Sequence, residues 1–152
     1  MTIVMTGLYV LDTTSLISHF KHVFSRPSAI SQRAHGLIDV ALRPGPQNVQ
    51  LSIPAVVFLE VFDKWLVDDE FAEKFYYEVM IPILDSPNIE IKPIEREVLE
   101  NMLTISAELE NHEVHDKLIL ASAMMLQRPL ITSDTKVVDF VNKYKVIPSV
   151  VT

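Results

Sequence analysis

The strongest constraint in this chain is an apolar run that stops on an acid. Leu8-Tyr9-Val10-Leu11 is followed by Asp12 and then by Thr13-Thr14-Ser15. An ionised carboxylate is costly inside a core and useful just outside it, so the run reads as a short buried strand ending at Asp12. A second stretch has the same form: Pro129-Leu130-Ile131-Thr132 leads through Ser133 to Asp134. Two strands that each deliver an acid at the carboxyl end point to a shared site, because ligands of open parallel sheets bind beyond those ends.

The remaining pattern predicts the elements between these two strands. A strand over residues 7–11 turns at Asp12–Ser15 into a helix carrying Leu16, Ile17 and Phe20. A second helix is expected from about Ser28 to Leu42, with Ile30, Ala34, Leu37, Ile38 and Ala41 on one face, ended by Pro44-Gly45-Pro46. Val49–Ile53 reads as a strand, and Pro54 suits the first turn of an apolar helix reaching about Val67. Asp68 or Asp69 starts another helix that stops near Pro82, and Asn88–Ile91 alternates like a third strand. Pro93 to about Glu110 has a helical apolar spacing. His115 or Asp116 opens a helix to Gln127, and Asp134 opens a short one through Val141. A last strand is expected over Lys145–Ile147.

Short strands that are apolar on both faces and separated by helices define an α/β class. The expected architecture is a central, mainly parallel sheet of four to five strands with helices on both faces. The 152 residues, with no repeat or linker, fit one domain over 1–152. No run approaches the roughly 18 apolar residues of a membrane span, and residues 1–6 lack the basic start of a leader peptide. The chain has no cysteine, which excludes disulfides and thiolate metal sites and makes a cytoplasmic location the default. A net charge of −7 argues against a broad basic surface for nucleic acid, unless clustered carboxylates are neutralised by metal ions.

Four acids invite that exception. Asp12 and Asp134 lie at strand ends, Asp116 lies in the first turn of its helix, and Glu60 lies two turns into a helix among apolar residues. Ionised carboxylates repel one another, so a cluster of them requires cations, and oxygen ligands favour Mg²⁺ or Mn²⁺. Such ions can hold a phosphate and activate water for phosphodiester cleavage. Each acid also has an ordinary reading. Asp12 and Asp134 suit helix N-caps, Asp116 suits a first-turn acid facing the helix dipole, and Glu60 suits solvent.

Taken together, the motifs are similar to those of PIN-domain ribonucleases, and among them to VapC-type toxins of toxin–antitoxin pairs. The segments that carry the resemblance are Leu11-Asp12-Thr13-Thr14, Val57-Phe58-Leu59-Glu60-Val61, the run from His115-Asp116 to Ala123, and Leu130-Ile131-Thr132-Ser133-Asp134. They span nearly the whole chain, and the last two are the most specific. The resemblance implies a PIN-like, Rossmann-like three-layer fold and Mg²⁺- or Mn²⁺-dependent cleavage of RNA. It implies that Asp12, Glu60, Asp116 and Asp134 hold metal and carry catalysis, with Thr14 and Thr132 beside them. It also implies an antitoxin partner and a homodimer. The alternative within the same fold is a catalytically weak scaffold that binds RNA or protein.

Other readings are weaker. A haloacid-dehalogenase-type phosphatase places a second Asp two residues after the first, where this chain has Thr14. A phospho-receiver domain needs an acidic pair at the end of its first strand. His112 and His115 are three residues apart, not the four of a helical zinc motif. Phe71, Phe75, Tyr76 and Met80 read as core or partner surface, and Lys117 and Lys136 as solvated or phosphate-facing.

Overall fold

Apolar strands at the centre and amphipathic helices around them set the layers of the fold. The computed structural model describes residues 5–152, so residues 1–4, on which part of the leader-peptide expectation rests, lie outside it. The order is β1 (Gly7–Leu11), α1 (Thr13–His19), α2 (Lys21–Phe24), α3 (Gln32–Leu42), β2 (Val49–Pro54), α4 (Ala55–Lys64) and α5 (Asp69–Phe75). A π-helical segment (Tyr76–Met80), α6 (Ile81–Asp85), β3 (Ile89–Lys92), α7 (Arg96–Ile105), α8 (Val114–Leu126), β4 (Leu130–Ile131), α9 (Thr135–Tyr144) and β5 (Val150–Val151) follow. All five strands are parallel, in the order β3-β2-β1-β4-β5. The chain winds outward from β1 to β3, then crosses back over β1 to build β4 and β5. The switch point therefore lies between β1 and β4, which are paired through Val10–Leu130 and Leu11–Ile131.

The core follows the apolar pattern. Val10, Leu11, Leu51, Ile53 and Ile131 are fully buried in the sheet. In α8, Lys117 to Ala123 are all buried, so this helix is covered all round, as expected of a central packing element. Among the described residues no helix is long and apolar enough to cross a membrane.

Several boundaries differ from expectation, each for a local reason. α3 starts at Gln32 rather than Ser28, because Ser31 is the N-cap and accepts from the Ala34 N–H at 3.1 Å. Ser28 instead lies in the preceding loop, 2.7 Å from Nε2 of His35. Pro82 does not stop its helix. The Ile81 N–H reaches back five residues to the Tyr76 carbonyl, and this π-helical register absorbs the proline while the chain stays helical to Asp85. Asn88 is a buried hub rather than a strand residue. Its side chain accepts from the Gln47 N–H and donates to the carbonyls of Ala41 and Gly45. Gly45, at φ +74°, supplies the turn that brings those groups together.

α7 begins at Arg96, after β3 has run to Lys92, and ends at Ile105. There the buried Lys117 donates to the Ser106 carbonyl at 3.1 Å, which takes this lysine away from any phosphate. The last strand is Val150–Val151 and not Lys145–Ile147. Lys145 turns left-handed at φ 52° to end α9, and Ile147 packs into the core before Pro148.

Candidate metal and active site

The site is built on the carboxyl ends of β1 and β4. Asp12 ends β1 and caps α1, its Oδ1 accepting from the Ser15 N–H at 2.8 Å. Its own N–H donates to the Ile131 carbonyl at 3.3 Å, and Ser15 Oγ donates to the same carbonyl at 3.0 Å. The turn after β1 is thus tied directly to β4. Asp12 is only 8% exposed, and burial pushes its carboxyl up to about 6. Hydrogen bonds from Ser15 and Thr132 pull the other way, and the nearby Asp116 adds to the rise.

Asp134 caps α9 in the same manner. Its Oδ1 accepts from the N–H groups of Lys136 and Val137, at 2.9 and 3.3 Å. Its Oδ2 faces His112 Nε2 at 3.1 Å, and its N–H donates to Thr132 Oγ1 at 3.1 Å. Thr132 is fully buried between the two strand-end acids. Asp116 lies in the first turn of α8, and partial burial holds its carboxyl above the usual range. His115 opposes that rise, Glu60 and Asp134 reinforce it, and His112 opposes it.

Glu60 enters from α4. Its side chain is 10% exposed, Oε2 pairs with His115 Nε2 and with Lys64 Nζ at 3.1 Å, and Oε1 is buried with no partner. Lys64 also reaches Glu113 at 2.7 Å, and that hydrogen bond raises the lysine and lowers the glutamate.

Asp12, Asp116, Thr132 and Asp134 line one small cavity of about 10 Å³. Thr14, Glu60, Asp116 and Asp134 line an open cleft of about 480 Å³ beside it. Asp116 and Asp134 belong to both, so all four acids border one continuous region. The donors fit a hard divalent cation. They are carboxylate oxygens from four separate segments, one buried oxygen has no partner, and one carboxyl is displaced by lack of solvation. Glu60, Glu113 and His115 additionally offer three ligand atoms within 4.8 Å of one another.

Several of these partners escape the motif reading. His112 and His115 do not share a helical zinc face. His112 lies in the turn after α7 and orients Asp134, whereas His115 lies on α8 and faces Glu60. Lys64 carries a legible signal, since it stands four residues after Glu60 on one helix face. Glu113 has none, because only tertiary packing brings it to Lys64. Asp63 and Asp139 are exposed.

A five-stranded parallel sheet with acids on both sides of its switch point defines a three-layer α/β domain of the PIN-like kind. Among solved structures the chain is similar to one in the VapBC2 complex from Rickettsia felis bound to a promoter DNA fragment. The identity is 16%, 95% of this chain and 96% of that chain are covered, and the TM-score is 0.60. It is similar to a chain of a toxin–antitoxin complex from Klebsiella pneumoniae at 25% identity, with the same coverage and a TM-score of 0.58. A chain of FitAcB from Neisseria gonorrhoeae aligns at 16% identity, again over 95% and 96%, with a TM-score of 0.59. No protein-family model and no curated protein sequence matches the chain. The likeness drawn from the four motifs thus extends, as a fold, over nearly the whole path of the chain.

Proposed function

We propose that this chain is a divalent-metal-dependent endoribonuclease and the toxin of a toxin–antitoxin pair, formed as a single domain over residues 1–152. The carrying observation is that Asp12, Glu60, Asp116 and Asp134, from four distant segments, border one region at the switch point of the sheet. These four residues would hold Mg²⁺ or Mn²⁺. A bound divalent cation supplies Lewis acidity toward a phosphodiester and makes water nucleophilic at neutral pH.

The chain's own groups do the rest. Ser15 and Thr132 fix the Asp12 carboxyl, and His112 fixes Asp134. A carboxylate of this cluster would take the proton from the attacking water, and burial raises both Asp12 and Asp116 in the direction that suits that role. Thr14 and Lys136 line the cleft and are placed to donate to phosphate oxygens.

An antitoxin partner is supported by the solved relatives, which are toxin–antitoxin complexes. Exposed Leu59 and Phe62 on α4, Leu66 just after it, and Tyr76 and Tyr77 on the π-helical segment offer apolar surface for it or for a second copy in a homodimer. The absence of cysteine fits a cytoplasmic setting.

Cleavage of a single-stranded RNA with Mn²⁺, with EDTA and with Asp12→Asn tests the reading. Activity should need the metal and fall about 10³-fold in the variant; undiminished cleavage by Asp12→Asn would sink it. One observation favours a second reading, a scaffold that does not cut. Lys64 already places an ammonium on Glu60 and Glu113. No Mn²⁺ binding at millimolar metal, with RNA binding retained, would select that reading.

A further inference from the structure

A second concavity adjoins the acid cleft. Its volume is about 310 Å³, and it shares Asn111, His112 and Lys136 with the cleft. The shared wall is close to the chemistry, since His112 Nε2 lies 3.1 Å from Asp134 Oδ2. Its character is different. The floor is the buried pair Leu109 and Phe140, and the rim is Tyr144, which is 43% exposed. The Phe140 and Tyr144 ring centroids are 4.8 Å apart. Tyr144 is held in place by donating its hydroxyl proton to Glu108 at 3.0 Å.

Two lysines flank the rings. Lys143 Nζ lies over the Tyr144 ring at 5.1 Å, and Lys136 stands at the opening toward the acids. Neither forms an ion pair among the described residues, although Glu108 and Asp139 face the same concavity. In a chain of net charge −7, the two lysines and two acids of this concavity make it locally balanced, and its cations are left outside any ion pair among the described residues, beside an aromatic surface. An exposed aromatic edge above an apolar floor for a base, cations for a phosphate and an opening onto a carboxylate cluster are together the requirements of one nucleotide in a single strand. A membrane or an apolar peptide would gain nothing from the acids next door.

We infer that this concavity is a nucleotide subsite. It receives one unpaired base of the RNA against Tyr144 and Phe140, while Lys136 and Lys143 take the phosphate that leads to the acid cluster. The inference rests on the ribonuclease reading for its substrate, but it concerns binding and can be tested without cleavage.

The probe is adenosine 5′-monophosphate, followed by NMR on Asp12→Asn protein in EDTA, with ribose 5-phosphate as the control. The nucleotide should shift the ring resonances of Phe140 and Tyr144, and the sugar phosphate should leave them unmoved. Tyr144→Ala should weaken the nucleotide at least fivefold and Lys143→Gln about threefold. Tyr144→Phe, which keeps the ring and guards against loss of fold, should bind within twofold of the parent. With wild-type protein, Mn²⁺ and a short single-stranded RNA, Tyr144→Ala should raise KM about tenfold and change kcat less than threefold. Unshifted rings, or equal shifts with ribose 5-phosphate, would overturn the subsite even if the protein cleaves RNA. Shifted rings in a protein that does not cleave would retain it while the ribonuclease reading falls.

Discussion

Asp12 and Glu60 are both acids set deep in the fold, and they are accommodated in opposite ways. Among the described residues Asp12 has no cation in an ion pair with it. It is surrounded by hydrogen-bond donors and apolar strand ends, and burial raises its carboxyl to about 6. Glu60 is matched on one oxygen by Lys64 and His115, at the mouth of an open cleft. One corner of the site thus stores the free-energy cost of a poorly solvated charge, and the other has its charge balanced in advance. A divalent cation would relieve the first corner and would have to displace or share partners at the second.

The largest expected effect treats the corners alike. In a metal-dependent RNA cleavage assay, Asp12→Asn and Glu60→Gln should each lower kcat by about 10²- to 10³-fold. Equal, undiminished rates would remove the basis of the comparison. Stability should then separate them. The folded protein holds a proton on Asp12 up to about pH 6, whereas the unfolded chain releases it near 3.8. The native state therefore binds more protons in that window, and stability falls as pH rises through it, by about 3 kcal/mol at most. Denaturant unfolding in EDTA should show this decline between pH 4 and pH 7, and Asp12→Asn should shrink it to the part that Asp116, also raised by burial, contributes. The variant, which keeps an N-cap acceptor for Ser15, should be the more stable protein at pH 7.5. Glu60→Gln should move the other way and cost about 1 kcal/mol, because His115 and Lys64 lose a charged partner.

Metal should produce the next effect. Mn²⁺ at about 100 times its dissociation constant should stabilise the wild type by about 2.7 kcal/mol, as read by thermal unfolding. Asp12→Asn should show little of this gain. Lys64→Met should give the smallest response. Its amine is half exposed, so the melting temperature should stay within about 2 °C. Removing a competing positive charge should nonetheless tighten Mn²⁺ about fivefold by calorimetry. Unchanged affinity would mean that Lys64 is remote from the bound ion.

The parts of this arrangement that could be read in the sequence are those that depend on neighbours in sequence. Leu11-Asp12-Thr13 and Ile131-Thr132-Ser133-Asp134 show apolar runs ending on caps, and the structure places those acids side by side because β1 and β4 are adjacent. The parallel sheet was legible for the same reason, in the short runs that are apolar on both faces. What could not be read depends on tertiary contacts. Asn88 ties the end of α3 to the loop that follows it, a role that the alternation of residues 88–91 does not reveal. Pro82 signals a stop, and only the π-helical register avoids it. The apolar helix expected to about Val67 ends at Lys64, which leaves Leu66 exposed beyond it, and Leu59 and Phe62 are exposed since α4 buries only its Val56, Val57, Phe58 and Val61 face. The positions of His112 and Glu113 come from the turn after α7, which no periodicity describes.

The sheet is not equally deep everywhere. β1 and β2 are five and six residues long, whereas β4 and β5 have two residues each. Asp134 hangs from that thin side. Its strand is gripped from the edge by the Thr132 N–H to the Val151 carbonyl at 3.0 Å and the Leu130 N–H to the Ser149 carbonyl at 3.2 Å. Its other edge is held to β1 by the Val10 N–H to the Pro129 carbonyl and the Asp12 N–H to the Ile131 carbonyl, so local opening of this short strand should expose the amides of Leu130, Thr132 and Val10 to exchange before that of Leu51. One half of the acid cluster then behaves as a fixed anvil on β1, and the other as a hinged jaw whose closure a bound cation would favour.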